Sequence, residues 1–66
     1  MFRTGERYRL GFAVRAGLPE RDDWTGLVVV IDRAWAEGLW RCQRGGEFII
    51  VSEERLRGSA RLSEAG

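Results

Sequence analysis

The strongest pattern along this chain is an apolar run that gives a predicted strand two apolar faces. Residues 48–51 are four apolar residues in succession, and they follow Gly45 and Gly46 closely. Because neighbouring side chains of a strand point to opposite faces, both faces of this segment are apolar. Residues 27–31 repeat the property, and their β-branched side chains favour a strand over a helix. A chain of 66 residues makes one small core, which can cover one apolar face of each strand. The other apolar face of each strand has to be covered by something else.

The first part of the chain shows a strict alternation of apolar and other residues. Residues 6–15 place four large apolar side chains on one face of an extended segment, namely Tyr8, Leu10, Phe12 and Val14. This period of two is typical of a half-buried strand. Residues 16–23 contain glycine, proline and three acids, which predict an exposed loop. Residues 33–38 predict a second connector, which contains Trp35.

Two strand-like segments, residues 39–44 and 47–51, flank Gly45-Gly46 and predict a β-hairpin. If the loop has only these two residues, Arg44 lies opposite Glu47. Opposed residues share a face, so one face carries Trp40, Cys42, Ile49 and Val51, and the other carries Arg41, Gln43, Phe48 and Ile50. A change of one residue in the loop would reverse these faces, so the face that turns outward stays open.

The end of the apolar run predicts a helical turn and then a tail. We expect a single short helical turn near Ser52–Arg55, because serine is a favourable N-cap, with Leu56 as the last residue to reach the core. Beyond this turn, Leu62 is the only apolar side chain larger than alanine. The predicted organisation is one domain, residues 1–58, followed by a flexible C-terminal tail, residues 59–66.

Composition excludes several classes of site. The chain has eleven basic and ten acidic residues, a net charge of +1, and therefore no strong global field for nucleic acid or an anionic membrane. Histidine is absent and Cys42 is the only cysteine, so the usual zinc ligand sets and an intrachain disulfide are excluded. No segment approaches about 20 apolar residues, and no signal peptide is evident. We expect a cytoplasmic protein with no metal, no cofactor and no membrane partner.

No residue is predicted to be catalytic. Cys42 lies on a predicted strand with no histidine to activate it, so we expect a buried and inert thiol. The adjacent carboxylates of Asp22-Asp23 and of Glu53-Glu54 are expected to be solvated charges rather than a metal site or an acid–base pair. The nine glycines form no phosphate-binding or dinucleotide fingerprint. These observations favour a protein that is not an enzyme.

The order of the predicted elements resembles a Src-homology-3-like (SH3-like) small β-barrel. The chain would have a long first loop, a tight late hairpin and then a helical turn before a last short strand. The segments GFAVRAG, WTGLVVV, EGLW, GGEFIIV and ERL are similar to the plasmid-borne type II dihydrofolate reductases, to photosynthetic accessory subunits and to KOW domains. The expected fold is therefore all-β, an SH3-like small barrel of four to five antiparallel strands with a short helical turn.

The reductase resemblance implies a scaffold rather than an activity. That family is a homotetramer with a central pore, and its pore strand carries an aliphatic-glutamine-isoleucine-tyrosine quartet that contacts folate and the nicotinamide cofactor. Residues 48–51 align with this quartet, and only Ile50 is identical. Ile49 and Val51 stand where the family has glutamine and tyrosine, and the family's pore lysine would fall near Ala16.

The predicted function is a non-catalytic interaction or accessory module that acts through protein–protein contacts and self-association. A second copy would cover the apolar faces in a homodimer or a tetramer. Trp35 is expected either as a lid on the barrel end or as an exposed anchor for a partner. The expected interface residues are Phe48, Ile49, Ile50, Val51 and Trp35.

Two alternatives remain open. One is a pore-forming homo-oligomeric oxidoreductase of the type II dihydrofolate reductase kind, whose site would exist only between subunits. The other is a KOW-like barrel that binds nucleic acid through a short basic row on the first strand. The arginines of that row would be Arg3, Arg7, Arg9 and Arg15.

Overall fold

The computed structural model describes residues 2–62, and in this part of the chain it forms seven strands and one short helix. In chain order these are β1 (Arg7–Arg9), β2 (Ala13–Arg15), β3 (Leu18–Glu20), β4 (Val28–Ala36), β5 (Leu39–Arg44), β6 (Glu47–Ser52), α1 (Glu53–Arg57) and β7 (Ala60–Leu62). The all-β fold class predicted from the sequence is confirmed.

Five of the strands form one antiparallel sheet, and the other two pair with each other. The larger sheet has the order β6-β5-β4-β1-β7, and the smaller sheet is β2-β3. β7 replaces the first part of the predicted flexible tail, because its backbone pairs with β1 and Tyr8 lies opposite Arg61. The SH3-like order of elements includes a last short strand after the helical turn. The composition of residues 59–66 did not reveal it, because backbone pairing needs few apolar side chains. Residues 63–66 of the predicted tail lie outside the described residues.

The β5–β6 hairpin has the two-residue loop and the register that the sequence predicts. Arg44 lies opposite Glu47, Cys42 opposite Ile49 and Trp40 opposite Val51. Gly45 has a φ angle of 58°, which a residue without a Cβ adopts at little cost in a tight hairpin turn. The structure also decides which face turns inward. Cys42 and Val51 are buried, whereas Phe48 on the opposite face is 53% exposed.

A single core lies under the inward face of the larger sheet. Its buried apolar residues come from four strands, from α1 and from the segment after β1, and they are Tyr8, Leu10, Val29, Ile31, Cys42, Val51 and Leu56. Four partly buried side chains pack around them, namely Phe2, Trp24, Trp40 and Ile49. Each fully buried aliphatic side chain contributes about 1.5–3 kcal/mol to folding, so a core this small leaves a modest margin of stability.

The predicted helical turn is confirmed as α1, which starts directly after Ser52. The Ser52 side-chain hydroxyl accepts a hydrogen bond of 3.1 Å from the backbone N–H of Arg55, which is the contact expected of an N-cap. Leu56 is 1% exposed, so it reaches the core as predicted.

The predicted first strand over residues 6–15 is divided into β1 and β2, which belong to different sheets. Tyr8 and Leu10 are buried as the alternation predicts, but Phe12 is 52% exposed and Val14 53% exposed. The chain leaves the sheet at Gly11, whose backbone N–H donates a hydrogen bond of 3.0 Å to the Ser59 hydroxyl. The contact joins residues far apart in sequence, so local alternation does not show where the strand ends.

The predicted loop over residues 16–23 contains strand β3, which forms a hairpin with β2. Val14 lies opposite Pro19, and Arg15 lies opposite Leu18. Ala16 and Gly17 connect the two strands with φ angles of 52° and 79°. The segment is exposed, as predicted, since each of residues 16–23 is exposed to solvent.

β4 is longer than the sequence predicts, because it continues through most of the predicted connector as far as Ala36. Trp35 therefore lies on a strand and not in a loop. The pairing of β4 with β5 shifts register between Ile31 and Arg33 and again between Ala34 and Ala36. Such bulges change the direction in which side chains point, and they interrupt the apolar–polar alternation by which a strand is recognised in a sequence.

Gly11 lies so close to the chain after α1 that a side chain at this position should destabilise the fold. A Cβ atom at Gly11 would collide with the backbone carbonyl oxygen of Gly58, whereas a Cβ at Gly46 would meet nothing within 4 Å. We expect Gly11→Ala to lower the free energy of unfolding by about 1–3 kcal/mol, as overpacking does. Urea denaturation of Gly11→Ala, with Gly46→Ala as the control, measures this loss of stability. Equal stability of Gly11→Ala and Gly46→Ala would contradict the packing.

Candidate functional site

The side of the five-stranded sheet that faces away from the core, which we call the outer face, carries side chains from all five strands. The register gives one row across all five strands, because opposed residues share a face. The row starts at the exposed Phe48 on β6 and ends on β7, in the order Phe48, Gln43, Val30, Arg7 and Leu62. Ile50 on β6 and Arg9 on β1 lie on the same side of the sheet.

Three side chains of the outer face, Trp35, Arg41 and Phe48, form what we call the aromatic cluster. The Arg41 guanidinium lies 4.3 Å from the centre of the Phe48 ring and 6.0 Å from that of Trp35. Asp32 fixes this guanidinium, because its Oδ2 accepts a hydrogen bond of 2.6 Å from Nε of Arg41 and forms an ion pair of 2.6 Å with a terminal nitrogen of the same side chain. Charge-assisted hydrogen bonds and cation–π contacts hold the cluster in place while both rings stay about half exposed.

The structure divides the predicted interface residues between the two faces. Phe48, Ile50 and Trp35 lie on the outer face, where a partner can reach them. Val51 is 1% exposed, and Ile49 packs against the core. The side chains of Ile49 and Val51 therefore serve the core, and an outer-face contact has to use Phe48 and Ile50.

The structure also separates the predicted basic row. Arg7 and Arg9 lie together on the outer face, because both occupy β1. Arg15 lies on the smaller sheet, where it pairs with Glu20 at 3.4 Å. Arg3 precedes β1, and its backbone N–H donates a hydrogen bond to Glu6. Two arginines that the sequence did not connect with the row, Arg33 and Arg41, join the outer face through β4 and β5.

Strand β6 has an unpaired edge. It is the outermost strand of its sheet, so every second residue directs its N–H and C=O groups away from β5. In the described part of the chain, the backbone of β6 makes no main-chain hydrogen bond apart from those to β5. Natural edge strands are usually protected by lysine, proline, a bulge or a covering loop. Glu47 is the single charged residue of β6, and it lies at the end of the strand.

A groove of about 300 Å³ lies between the β2–β3 hairpin and the end of β6. Its walls are formed by Ala13, Val14, Trp24, Leu39, Ile50, Val51, Ser52, Glu54 and Arg55. Arg55 holds the walls together. Its Nε donates a hydrogen bond of 3.3 Å to the Gly11 carbonyl, and its guanidinium lies 5.7 Å from the Trp24 ring centre.

Asp22 is the anionic partner of Arg55, and it is not the solvated charge that the sequence predicts. The two side chains form two hydrogen bonds, of 2.5 and 2.8 Å. The bonds from Arg55 hold the pKa of the Asp22 carboxyl well below its usual range. Asp22 also accepts hydrogen bonds from the backbone N–H groups of Trp24 and Thr25, so it orders the loop before β4. Its neighbour Asp23 is exposed, as predicted.

Cys42 and Glu6 have buried ionisable side chains that could take part in catalysis, but both have structural roles instead. Cys42 is fully buried, and burial raises the pKa of its thiol to about 11, which makes it a poor nucleophile as the sequence predicts. Glu6, which sequence reasoning missed, is a buried carboxylate that accepts hydrogen bonds from Arg3 and Tyr8 and pairs with Arg61. The backbone hydrogen bond from Arg3 lowers the pKa of Glu6. Both groups are therefore structural.

Comparisons with protein-family models, with curated proteins and with solved structures found no match to this chain. Within residues 2–62 there is no cluster of three or more cysteine, aspartate and glutamate residues that could hold a metal ion. The helix of this part of the chain has neither the length nor the apolar character of a membrane span. Function therefore has to be inferred from the outer face, the β6 edge and the groove.

The bond between Asp22 and Arg55 predicts a dependence of stability on pH. Because the pKa of Asp22 is lower in the folded state than in the unfolded state, the carboxylate stabilises the fold at neutral pH. This contribution declines as the pH falls below the unfolded pKa of about 4, and it is lost below the folded pKa. We expect Asp22→Asn to be less stable than the parent protein at neutral pH, and the difference to shrink in acid.

Urea denaturation at neutral pH and near pH 3 measures both effects. Asp23→Asn is the matched control, since Asp23 makes no side-chain hydrogen bond or ion pair in the described part of the chain. A stability difference for Asp22→Asn that stays constant with pH would contradict the pKa shift.

Proposed function

We propose that this protein is a non-catalytic interaction or accessory module that self-associates by pairing the β6 edges of two copies. The observation that carries the proposal is the unpaired edge of a six-residue strand whose side chains are apolar on both faces. Unprotected edges of this kind pair readily with another strand. A second copy of the chain supplies a strand of the same length and the same apolar pattern.

The pairing geometry is self-complementary. Two antiparallel β6 strands related by a two-fold axis normal to the sheet keep outward residues opposite outward residues. If the axis passes beside Ile49, the two copies of Ile49 lie opposite each other on the inner face. Phe48 of each copy then lies opposite Ile50 of the other on the outer face. This register pairs residues 47–51 of the two copies and leaves Ser52 outside the contact. Ile50 and Val51, which also line the groove, lie within the paired segment.

The energetics favour association for a chain of this size. Each large apolar side chain that becomes fully buried contributes about 1.5–3 kcal/mol, and the pairing adds contacts for Phe48 and Ile50 in both copies. The net charge of +1 gives little repulsion between copies. Seven apolar residues are buried in the core that residues 2–62 form, and a domain with so small a core gains substantially from this additional burial.

The SH3-like small barrel remains the proposed scaffold of this module. Its support is the antiparallel order β6-β5-β4-β1-β7, together with the tight β5–β6 hairpin and the helical turn between β6 and β7. The exposed β2–β3 hairpin occupies the place of the long first loop. We propose no reductase chemistry for this scaffold.

Self-association predicts a mass above that of one chain. Light scattering behind size exclusion, at tens of micromolar protein, should give at least twice the chain mass of 7.5 kDa. Phe48→Asp and Ile50→Asp should each shift the protein to a folded monomer, because a charge in the middle of the paired edges is poorly solvated. Circular dichroism checks that the variants are folded.

Phe12→Asp is the matched control, because Phe12 is as exposed as Phe48 and lies outside the larger sheet. It should leave the mass unchanged. A folded monomer of the parent protein at these concentrations would contradict the proposal, and so would dissociation by Phe12→Asp alone.

A second prediction separates the module from a reductase. We expect no turnover of dihydrofolate with NADPH and no trimethoprim resistance on expression, because the positions of the family's glutamine and tyrosine are Ile49 and Val51. Both side chains serve the core, and each lost polar contact to a ligand costs about 1–3 kcal/mol where the bond is buried. Reduction of dihydrofolate by the assembled oligomer would contradict this prediction and favour the oxidoreductase alternative.

A further inference from the structure

We infer that the outer face is a binding platform for single-stranded nucleic acid, with Trp35 and Phe48 as stacking surfaces for bases and the arginines of the face as contacts for phosphates. This inference goes beyond self-association. The platform lies on the face of the sheet and the proposed pairing lies along the β6 edge. Phe48 belongs to both, because the pairing places it opposite Ile50 of the other copy, whereas Trp35 on β4 belongs to the platform alone.

The first support is the aromatic cluster. Trp35 is 54% exposed and Phe48 53% exposed, and both lie beside the Arg41 guanidinium on one side of the sheet. Base stacking on exposed aromatic rings is the main sequence-tolerant contact that proteins make with single strands, and arginine adds cation–π attraction. Asp32 holds Arg41 in position before a ligand binds, so little ordering of this side chain is required.

The second support is the uneven distribution of charge. Among the described residues, the register places four arginines on the outer face, namely Arg7, Arg9, Arg33 and Arg41, and its one acidic residue is Asp32. The face therefore carries a net charge of +3. Since the whole chain carries +1, the remainder of the molecule carries −2. A protein that is nearly neutral overall therefore has a basic face that can attract a polyanion. The net charge alone does not reveal this face.

The combination favours a single strand over a duplex or an acidic protein. In a duplex the bases stack on one another and are not available to Trp35 and Phe48, so only the arginines would contribute. An acidic polypeptide would likewise use the arginines alone. A single strand uses both features, because its phosphates follow the charge while its bases reach the rings.

The test measures the binding of fluorescein-labelled oligothymidylate and oligouridylate by fluorescence anisotropy, with a DNA duplex of equal length as comparison. Both single strands are expected to bind more tightly than the duplex. Trp35→Ala and Phe48→Ala should each weaken single-strand binding about fivefold or more, as expected for the loss of one stacked base. Phe12→Ala is the matched control and should bind like the parent protein, since Phe12 is equally exposed outside the face.

A salt titration tests the role of the arginines. Arg9→Gln should reduce the slope of log affinity against log salt by about 0.7, the value for one phosphate contact with a single strand. Arg21→Gln is the control, because Arg21 is exposed on the segment between β3 and β4 and lies off the face. Circular dichroism confirms the fold of each variant.

Light scattering on the same samples keeps this inference distinct from the proposed function. Trp35 lies on β4, two strands from the β6 edge, so Trp35→Ala should weaken nucleic-acid binding and leave the oligomer unchanged. Binding by a monomeric protein would contradict self-association and support the platform. The platform is overturned if neither single strand binds at low salt, or if Trp35→Ala has no effect. It is also overturned if the duplex binds equally well or if polyglutamate displaces the oligonucleotide as effectively as unlabelled oligothymidylate.

Discussion

The register of the β5–β6 hairpin decides which apolar residues of these two strands face the core and which face outward. The two-residue loop at Gly45-Gly46 places Cys42 opposite Ile49, and this pairing turns Cys42 and Val51 toward the core. A shift by one residue would bury the Arg41 guanidinium and expose the core face to water. Gly45 allows the tight turn because its φ angle is positive, so the outer face depends on a local backbone property.

This register leaves the domain with more apolar surface than its core can use. The inward residues and Leu56 fill one core, and Phe48, Ile50 and Trp35 remain on the outer face. Arg41 lies over the ring of Phe48 and brings charge to an otherwise apolar surface. An exposed sheet face with both rings and guanidinium groups differs from the purely apolar face of an obligate subunit contact. Residues 48–51 give β6 an apolar edge beside this face, and Phe48 and Ile50 belong to both surfaces.

The sequence predicts those features that depend on residues close together in the chain. The hairpin register follows from the glycine pair, and the start of α1 follows from Ser52, whose hydroxyl bonds the backbone three residues later. The end of β1 and the role of Asp22 were not predictable in this way. Gly11 meets residues 58 and 59, and Asp22 meets Arg55 at a separation of 33 positions, so both depend on the completed fold.

The outer face was predictable only in part for the same reason. Alternation alone puts Arg7 and Arg9 on one side of a strand, but their proximity to Arg41 requires the pairing of β1 with β4 and of β4 with β5. The two register shifts in β4 hide the position of Trp35, because they break the period by which a strand is recognised. Ile49 and Val51 could be assigned to the core only when the direction of the hairpin was known.

Amide hydrogen exchange of β6, followed residue by residue with NMR at high and low protein concentration, tests most directly whether a second copy pairs with this strand. Pairing of the two β6 edges predicts that the alternate amides directed away from β5 are protected at high concentration. Their protection should fall on dilution, while the amides bonded to β5 keep theirs. Fast exchange of the outward-directed amides at every concentration would contradict the pairing.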